Sequence, residues 1–336
     1  MMLDFKRWFS FSLPAGRAVT QQSLAMIEPY AEQRKAGAVV LGMASDLSLN
    51  YYDSLIGTKE GPDSIRRMLA KLPDLGAMPL YDAGVIEEEV TTEGRATGSA
   101  GFEAMRTRQY ERLCGMLRAG HFPIVLGGGH EVAIGSFQAL SDTLHQASDG
   151  IEDGMAQLPN AGQTRIGIIN IDANFQLRRS LAVRAGSAFH SVASFCQEHH
   201  REFHYLGLGM CDHTNSQATF AYARELGADW LLDREMKMKN RKRIQATIEA
   251  YLARVDHVHL SLDLSVFPSL VAEGVNLSRI YGVNLPVVEM VIRQIMESGK
   301  VRIMDVTGLN TEFDYQGDTA RLAAKLIRHA LKSVSP

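Results

Sequence analysis

The sequence predicts an α/β fold: a single domain of three layers, in which helices cover both faces of a mainly parallel sheet of about eight strands. Short runs of apolar or β-branched residues recur along the chain, and longer amphipathic stretches separate them. Strands that alternate with helices pair in parallel, and both faces of such a sheet must be covered. The 336 residues, 46% of them hydrophobic, are enough for one large core.

The strand candidates are short apolar runs with turn-forming residues at their ends. Residues 146–164 are rich in Gly, Asp and Gln and are predicted to be a surface insertion rather than a domain linker. All of residues 1–336 are therefore assigned to one domain. The strand candidates are Ala38–Met43, Phe122–Leu126, Arg165–Ile171, Phe203–Leu208, Trp230–Leu232, His257–Leu264 and Val301–Val306.

The helix candidates have apolar residues at three- and four-residue spacing, which places those residues along one helix face. Pro62 stands near the first position of the first candidate, where its missing N–H costs nothing. The candidates are Pro62–Lys71, Ala96–Ala119, Val132–Leu144, Gln217–Leu226, Arg241–Arg254, Pro286–Glu297 and Thr319–Lys332.

Composition and charge exclude several classes of partner. The net charge is −3 and the basic residues are scattered, so neither nucleic acid nor a membrane surface is expected as a partner. No apolar run exceeds about eight residues, which is too short to span a membrane. The three cysteines have no CxxC spacing, a sparse usage that is typical of the reducing cytoplasm, and we expect the protein there.

Three strand candidates end in residues that can carry chemistry, and ligands of parallel sheets bind beyond such ends. The first runs into a triple glycine, which allows a sharp turn, and then His130. Asp172, Asn174 and Gln176 follow the second, and Ser261–Ser265 has polar residues at every second position. Alternate side chains of an extended chain share a face, so the last two strands are predicted to line one polar cavity.

These segments resemble the ureohydrolase family of arginases, agmatinases and formimidoylglutamases. Its motifs GGGHE, Asp-Ala-His-x-Asp and Ser-x-Asp-x-Asp correspond to Gly127–Glu131, Asp172–Gln176 and Ser261–Ser265. Asp305–Ala324 is similar to the motif DIAELNPxxDxDxxTARLAA of the formimidoylglutamase branch, and the resemblance spans roughly residues 38–330. It implies an arginase-like fold, a two-manganese centre that activates water, and a guanidino or formimidoyl substrate.

The resemblance also implies six metal-ligand positions, and only half of them carry the family's residues. One ion would be bound at positions 130, 172, 176 and 263, and the other at 172, 174, 263 and 265; we call these the first-ion and second-ion positions. His130, Asp172 and Asp263 match the family. The substituted positions carry Asn174, Gln176 and Ser265.

The substitutions remove ligands unevenly. The first-ion position keeps a histidine and two carboxylates, whereas the second keeps only the two shared carboxylates. Divalent cations need anionic oxygen or imidazole donors to offset dehydration. We therefore expect no binuclear manganese cluster, and either no metal or one weakly bound divalent ion such as Mn²⁺.

Three hypotheses for function remain. The leading one is a formimidoylglutamase-like pseudoenzyme, because losing one ion removes cationic charge that lowers the pKa of bound water. The second is an active C–N hydrolase of formimidoylglutamate, agmatine or an arginine-like substrate, with one metal at His130, Asp172 and Asp263. The third is a metal-free enzyme with different chemistry in the same cleft.

Three more residues are candidates for a ligand pocket. Gly308 stands where the resemblance implies a substrate-holding glutamate, His190 lies where the family has a loop beside substrate, and Asn215 belongs to a segment similar to the motif LGV…SNT. The expected ligand is a small amidine or guanidino molecule. The family generally forms trimers or hexamers, so the resemblance also implies a homotrimer or homohexamer.

Overall fold

One parallel sheet with helices on both faces makes up the described part of the chain. Nine strands, all paired in parallel, and eight α-helices occur there. The predicted three-layer α/β fold is confirmed, with nine strands rather than about eight. The structure is a computed structural model and describes residues 27–31, 35–46, 56–76, 78–87, 98–149, 164–276 and 278–334.

The strands lie in the order β1-β3-β2-β4-β9-β8-β5-β6-β7. The four strands β4, β9, β8 and β5 are consecutive in this order, near the middle of the sheet. Their carboxyl ends therefore lie side by side. The strands are β1 Glu28–Pro29, β2 Ala38–Ala44, β3 Leu80–Glu87, β4 Phe122–Gly127, β5 Ile166–Ile171, β6 His204–Met210, β7 Asp229–Leu232, β8 His257–Asp263 and β9 Val301–Thr307.

The helices divide into two layers. Apolar residues of α1, α6, α7 and α8 join one core cluster, and those of α2, α3, α4 and α5 join the other. None of the described helices is long and apolar enough to cross a membrane. The helices are α1 Gly61–Leu69, α2 Gly98–Arg118, α3 Val132–Asp149, α4 Ala188–Glu198, α5 Gln217–Glu225, α6 Arg241–Leu252, α7 Leu285–Glu297 and α8 Asp318–Lys332.

Some elements differ from the sequence prediction. β3 carries a polar residue and a glycine in its interior, and Asp82 there binds Arg66 of α1, so the strand lacks an apolar run. α4 is short and was not predicted, although its apolar residues pack into the second cluster. The predicted insertion at 146–164 begins inside α3, which continues to Asp149, and its residues 150–163 lie outside the described residues.

Candidate metal centre

Adjacent strand ends bring the predicted metal-ligand residues together. His130 follows β4, Asp263 ends β8, and Asp172 comes directly after β5. The turn before His130 requires glycine, because a Cβ on Gly128 would lie 2.2 Å from the carbonyl oxygen of Ser45. The sheet order therefore places one imidazole and two carboxylates at a single edge, as the sequence analysis predicted.

His130, Asp172 and Asp263 form one buried cluster. Each offers a ligand atom, and these atoms all lie within 4.8 Å of one another. The Nδ1 atom of His130 is 3.0 Å from Asp263 Oδ2 and 3.4 Å from Asp172 Oδ2, and the opposite ring nitrogen, Nε2, is 3.0 Å from the hydroxyl of Ser261. When Nε2 donates its proton to Ser261, Nδ1 presents a free lone pair to the carboxylates, which is the arrangement that orients a metal-binding histidine.

Each carboxylate turns its two oxygens toward different surroundings. The Oδ2 atoms of Asp172 and Asp263 face His130, which belongs to the first-ion position. Asp172 Oδ1 instead accepts hydrogen bonds from the Ser265 hydroxyl at 3.1 Å and the Asn174 backbone N–H at 2.9 Å. Asp263 Oδ1 accepts from the Ser265 backbone N–H at 2.8 Å. The second-ion side of the cluster is thus occupied by hydrogen-bond donors.

Gln176 belongs to the first-ion side. Its side-chain Nε2 donates to Asp172 Oδ2 at 2.8 Å, while its Oε1 is buried without a hydrogen-bond partner. Its backbone is left-handed, with φ of 54°, a conformation that costs a residue with a side chain free energy. Two backbone N–H groups in the first turn of α4, those of Phe189 and His190, donate to the Gln176 carbonyl and hold this conformation.

The substituted ligand positions reach the cavity from turns that follow the strands, and not from the strand faces that were predicted. β5 ends at Ile171, so Asp172, Asn174 and Gln176 lie on a bending chain instead of one strand face. Ser265 lies in a 3₁₀ turn after β8 that spans Leu264–Val266. The alternation argument was therefore wrong about the backbone, although Asn174, Gln176 and Ser265 line one cavity as predicted.

Burial and mutual charge shift the pKa values of the cluster. Burial opposes a charged His130, but the hydrogen bond to Asp263 and the two carboxylate charges outweigh it and raise its pKa. Burial and the Asp263 charge raise the pKa of Asp172 to about 6. Burial also acts against ionised Asp263, yet the hydrogen bond and charge of His130 lower its pKa to about 2. The cluster thus retains a proton well above the pH at which a solvated carboxyl would lose it.

A cavity of about 650 Å³ opens above the cluster, within the size range of small-molecule sites. His130 and Asp263 line it, and Asp172 is fully buried behind them. Asn215 and Gly308, two of the candidate pocket residues, also line it. His190 lines a separate cleft between α2, α3 and α4, where its Nδ1 lies 3.0 Å from the Tyr222 hydroxyl.

Asn215 braces the loop that carries the substituted ligand positions. Its side-chain NH₂ donates to the carbonyl of Ala173 at 2.8 Å, and its side-chain oxygen accepts from the backbone N–H of Phe175 at 3.0 Å. Gly308 has a φ of 90°, and a Cβ there would lie 2.5 Å from Asp263 Oδ1. A glutamate at this position would therefore require Asp263 to move.

The cavity also has residues that the sequence analysis did not single out. Arg178, Thr58 and Asn276 line it, as do Ser216 and Thr219 at the amino end of α5. Thr58 is held by Asp46, whose Oδ1 accepts from both its backbone N–H and its hydroxyl. Arg178 follows the aspartate motif by two residues, which is the signal that could have identified it. The cavity thus has carboxylates at its floor and a guanidinium at its rim.

The sequence profile of the arginase family matches residues 36–332 of the chain. The chain belongs to the arginase family. This arginase-family chain is 39% identical over 301 residues to the formimidoylglutamase of Ralstonia nicotianae, covering 89% of this chain and 86% of that protein. It is 35% identical over 317 residues to the formimidoylglutamase of Aromatoleum aromaticum, covering 94% and 87%. Within the arginase family, the sequence lies in the formimidoylglutamase branch.

Solved structures have the same fold. The formimidoylglutamase of Bacillus subtilis superposes with a TM-score of 0.74 at 19% identity, covering 96% of both chains. The formiminoglutamase of Trypanosoma cruzi, solved with Mn²⁺, superposes with a TM-score of 0.71 at 20% identity, covering 90% of this chain and 95% of that one. At these identities the likeness establishes the arginase-like fold.

The residues present fit one divalent ion better than two. Two carboxylates and a neutral imidazole balance one doubly charged cation, and the unpartnered Gln176 Oε1 is a further oxygen beside them. The terminal amide torsion is soft, so a half-turn of this amide would direct Oε1 toward Asp172. On the second-ion side, the N–H groups of Asn174 and Ser265 can only donate, and donors do not bind cations.

Proposed function

We propose that this arginase-family chain is a single-metal hydrolase that cleaves the C–N bond of a linear amidine of the formimidoylglutamate type. The observation that carries the proposal is the convergence of His130, Asp172 and Asp263 at the floor of a ligand-sized cavity. Relatives named formimidoylglutamase, at 33–39% identity, support a formimidoyl substrate.

The first-ion position would be formed by His130, Asp172 and Asp263, with Gln176 as a neutral oxygen donor. A divalent ion bound there would lower the pKa of a coordinated water and so supply a nucleophile at neutral pH. Ser261 fixes the orientation of the His130 ring, and the buried floor keeps bulk water away from Asp172. The side chain of Asn174 lines the cavity next to this floor and is available to hydrogen-bond the amidine.

The rim of the cavity would bind the far end of the substrate. Arg178 carries a positive charge there, and the amino end of α5, the positive end of its helix dipole, lies at the same cavity. A substrate with an amidine at one end and a carboxylate at the other matches this division of charge. Agmatine lacks a carboxylate and is therefore the poorer match.

Metal-loaded protein tests the proposal directly. We expect elemental analysis to give one Mn²⁺ per chain and turnover of formimidoylglutamate to require the added metal, with arginine and agmatine as comparison substrates. Replacing Arg178 with Gln should raise KM about tenfold or more and change kcat little, because one charged hydrogen bond contributes about 1.5–3 kcal/mol. Arg179→Gln is the matched control, since Arg179 pairs with Glu225 outside the cavity. A loaded protein that turns over none of the three substrates would contradict the proposal.

A second candidate function is metal-free binding of an amidine by a pseudoenzyme. Both oxygens of Asp172 already accept hydrogen bonds, from Ser265, Asn174 and Gln176, so the cluster is largely satisfied without an ion. This candidate predicts that chelator-treated protein binds formimidoylglutamate as tightly as untreated protein. The homotrimer or homohexamer implied by the family stays a prediction, which multi-angle light scattering would test.

A further inference from the structure

Thr307 is the last residue of β9, and its side chain is fully buried beside the ligand cluster. Its hydroxyl donates to Asp263 Oδ2 at 3.0 Å and lies 3.3 Å from Nδ1 of His130. This hydroxyl therefore lies on the first-ion side of the cluster, in contact with two of its three ligand residues.

The sheet order gives this threonine a particular place. Of the four consecutive strands β4, β9, β8 and β5, three are followed by or end in His130, Asp263 and Asp172. The fourth, β9, pairs Thr307 in register with Asp263, and Gly308 after it has no side chain. Thr307 is therefore the group that β9 contributes to the common edge.

The distances around Thr307 are those between neighbouring ligands of one ion. For metal bonds of about 2.0–2.2 Å, two ligands at a right angle lie about 3 Å apart. Thr307 Oγ1 has separations of 3.0 and 3.3 Å from its two neighbours, and His130 Nδ1 has 3.0 and 3.4 Å from the carboxylates. A hydroxyl that donates its single proton to Asp263 also keeps lone pairs free.

We propose that Thr307 Oγ1 is an oxygen ligand of the single ion that His130, Asp172 and Asp263 bind. This inference rests on the proposed single-metal function, and the ligand set it completes indicates which divalent ion the site prefers. With Gln176, the set offers four oxygens and one nitrogen, two of the oxygens anionic. Such an oxygen-rich set suits Mn²⁺ or Mg²⁺ and does not select the softer Zn²⁺.

Three substitutions of Thr307 in the full chain separate a ligand from a neighbour that merely orients Asp263. Thr307→Val keeps the shape without the hydroxyl, Thr307→Ser keeps the hydroxyl, and Thr307→Cys supplies a thiol. By calorimetric titration with Mn²⁺, the serine variant should bind within about threefold of wild type and the valine variant at least about tenfold more weakly. Thermal melting of each metal-free variant controls for folding.

Cobalt gives the decisive readout. When Co²⁺ is bound, a cysteine ligand at position 307 produces a sulfur-to-metal charge-transfer absorption that wild type lacks. Co²⁺ binding to Thr307→Cys without this absorption would show that position 307 lies outside the coordination sphere, and it would overturn the proposal. Mn²⁺ binding by Thr307→Val as tight as wild type overturns it as well. If wild type itself binds no divalent ion, the proposed single-metal function fails together with this inference.

Discussion

The two sides of the carboxylate pair differ in kind. On the first-ion side, Asp172 and Asp263 face the imidazole of His130, the amide of Gln176 and the hydroxyl of Thr307, side-chain groups that also carry lone pairs. On the second-ion side, the same two carboxylates face a serine hydroxyl and two backbone N–H groups. The partners on the first-ion side are thus side-chain groups with lone pairs, whereas two of the three on the second-ion side are backbone N–H groups, which can only donate.

The proposed single-metal site would keep its fold because hydrogen-bond donors stand where the second ion would lie. Buried carboxylates that repel each other require positive charge or donors nearby. Ser265 and the backbone at Asn174 supply donors where the second ion would otherwise neutralise charge. The substitutions thus change the ligand count while leaving each carboxylate oxygen with a partner.

The largest loss of Mn²⁺ affinity is expected at Asp263, because this residue faces both the first-ion and the second-ion side. Replacing Asp263 with Asn removes a charged ligand and places an amide beside His130 and Thr307, so Mn²⁺ affinity should fall more than about hundredfold. Titration calorimetry measures the loss. Asp256→Asn is the control, because Asp256 pairs with Arg165 at the surface. Equal affinity of the Asp263 variant and wild type would place the ion elsewhere.

Restoring the family's residues at all three substituted ligand positions is the next largest change. The triple variant Asn174→His, Gln176→Asp and Ser265→Asp should bind two Mn²⁺ per chain, against the one proposed for wild type, without disturbing the fold. Without metal, it should melt at a lower temperature, because four carboxylates then lie close together. Elemental analysis and circular dichroism measure both effects. A triple variant that stays at one ion would contradict the assignment of positions 174 and 265 to the second-ion side.

Proton competition predicts a steep pH dependence of metal binding. The pKa of Asp172 is raised to about 6, and that of His130 is raised as well, so both must lose protons before they bind a cation. Mn²⁺ affinity should therefore fall as the pH decreases through about 6, by about tenfold per pH unit for each proton displaced. Titrations at several pH values check the slope. A flat profile would mean that the ion does not contact these two groups.

The sequence was enough to predict the fold and the residues of the cluster, but not the detailed geometry of the cluster. The alternation of strands and helices was sufficient for the three-layer architecture, because periodicity reports which face of an element is buried. The convergence of His130, Asp172 and Asp263 was also predictable, since parallel strands end at one edge. β3 was missed because its polar Asp82 and its glycine interrupt the apolar run.

The finer features of the site depend on tertiary contacts that periodicity does not contain. The left-handed Gln176 is held by N–H groups of α4, and no local pattern at Asp172–Gln176 signals that conformation. Thr307 acquires its role only because β9 pairs with β8 and sets it opposite Asp263. Which oxygen of each carboxylate faces which side of the cluster is likewise set by the tertiary structure and not by any local sequence pattern.

Gln176→Asp should moderately strengthen Mn²⁺ binding on the first-ion side. Aspartate adds a charged ligand and is more tolerant than glutamine of a left-handed backbone, so Mn²⁺ affinity should rise about tenfold while the stoichiometry stays at one. Gln176→Asn is the matched control, since it shortens the side chain equally without adding charge. Calorimetry of both variants separates charge from length, and an equal gain in both would attribute the effect to the backbone.

The smallest change in Mn²⁺ affinity is expected when Ser265 is replaced. Its hydroxyl bonds Asp172 Oδ1 on the second-ion side, and its backbone N–H, which bonds Asp263, survives substitution. Ser265→Ala should therefore lower the free energy of unfolding by about 1 kcal/mol and change Mn²⁺ affinity less than about threefold. Chemical denaturation and calorimetry measure the two quantities. If this alanine variant lost metal as completely as Asp263→Asn, the two sides would act as one site, and the separation of the cluster into an ion-binding side and a hydrogen-bonded side would be wrong.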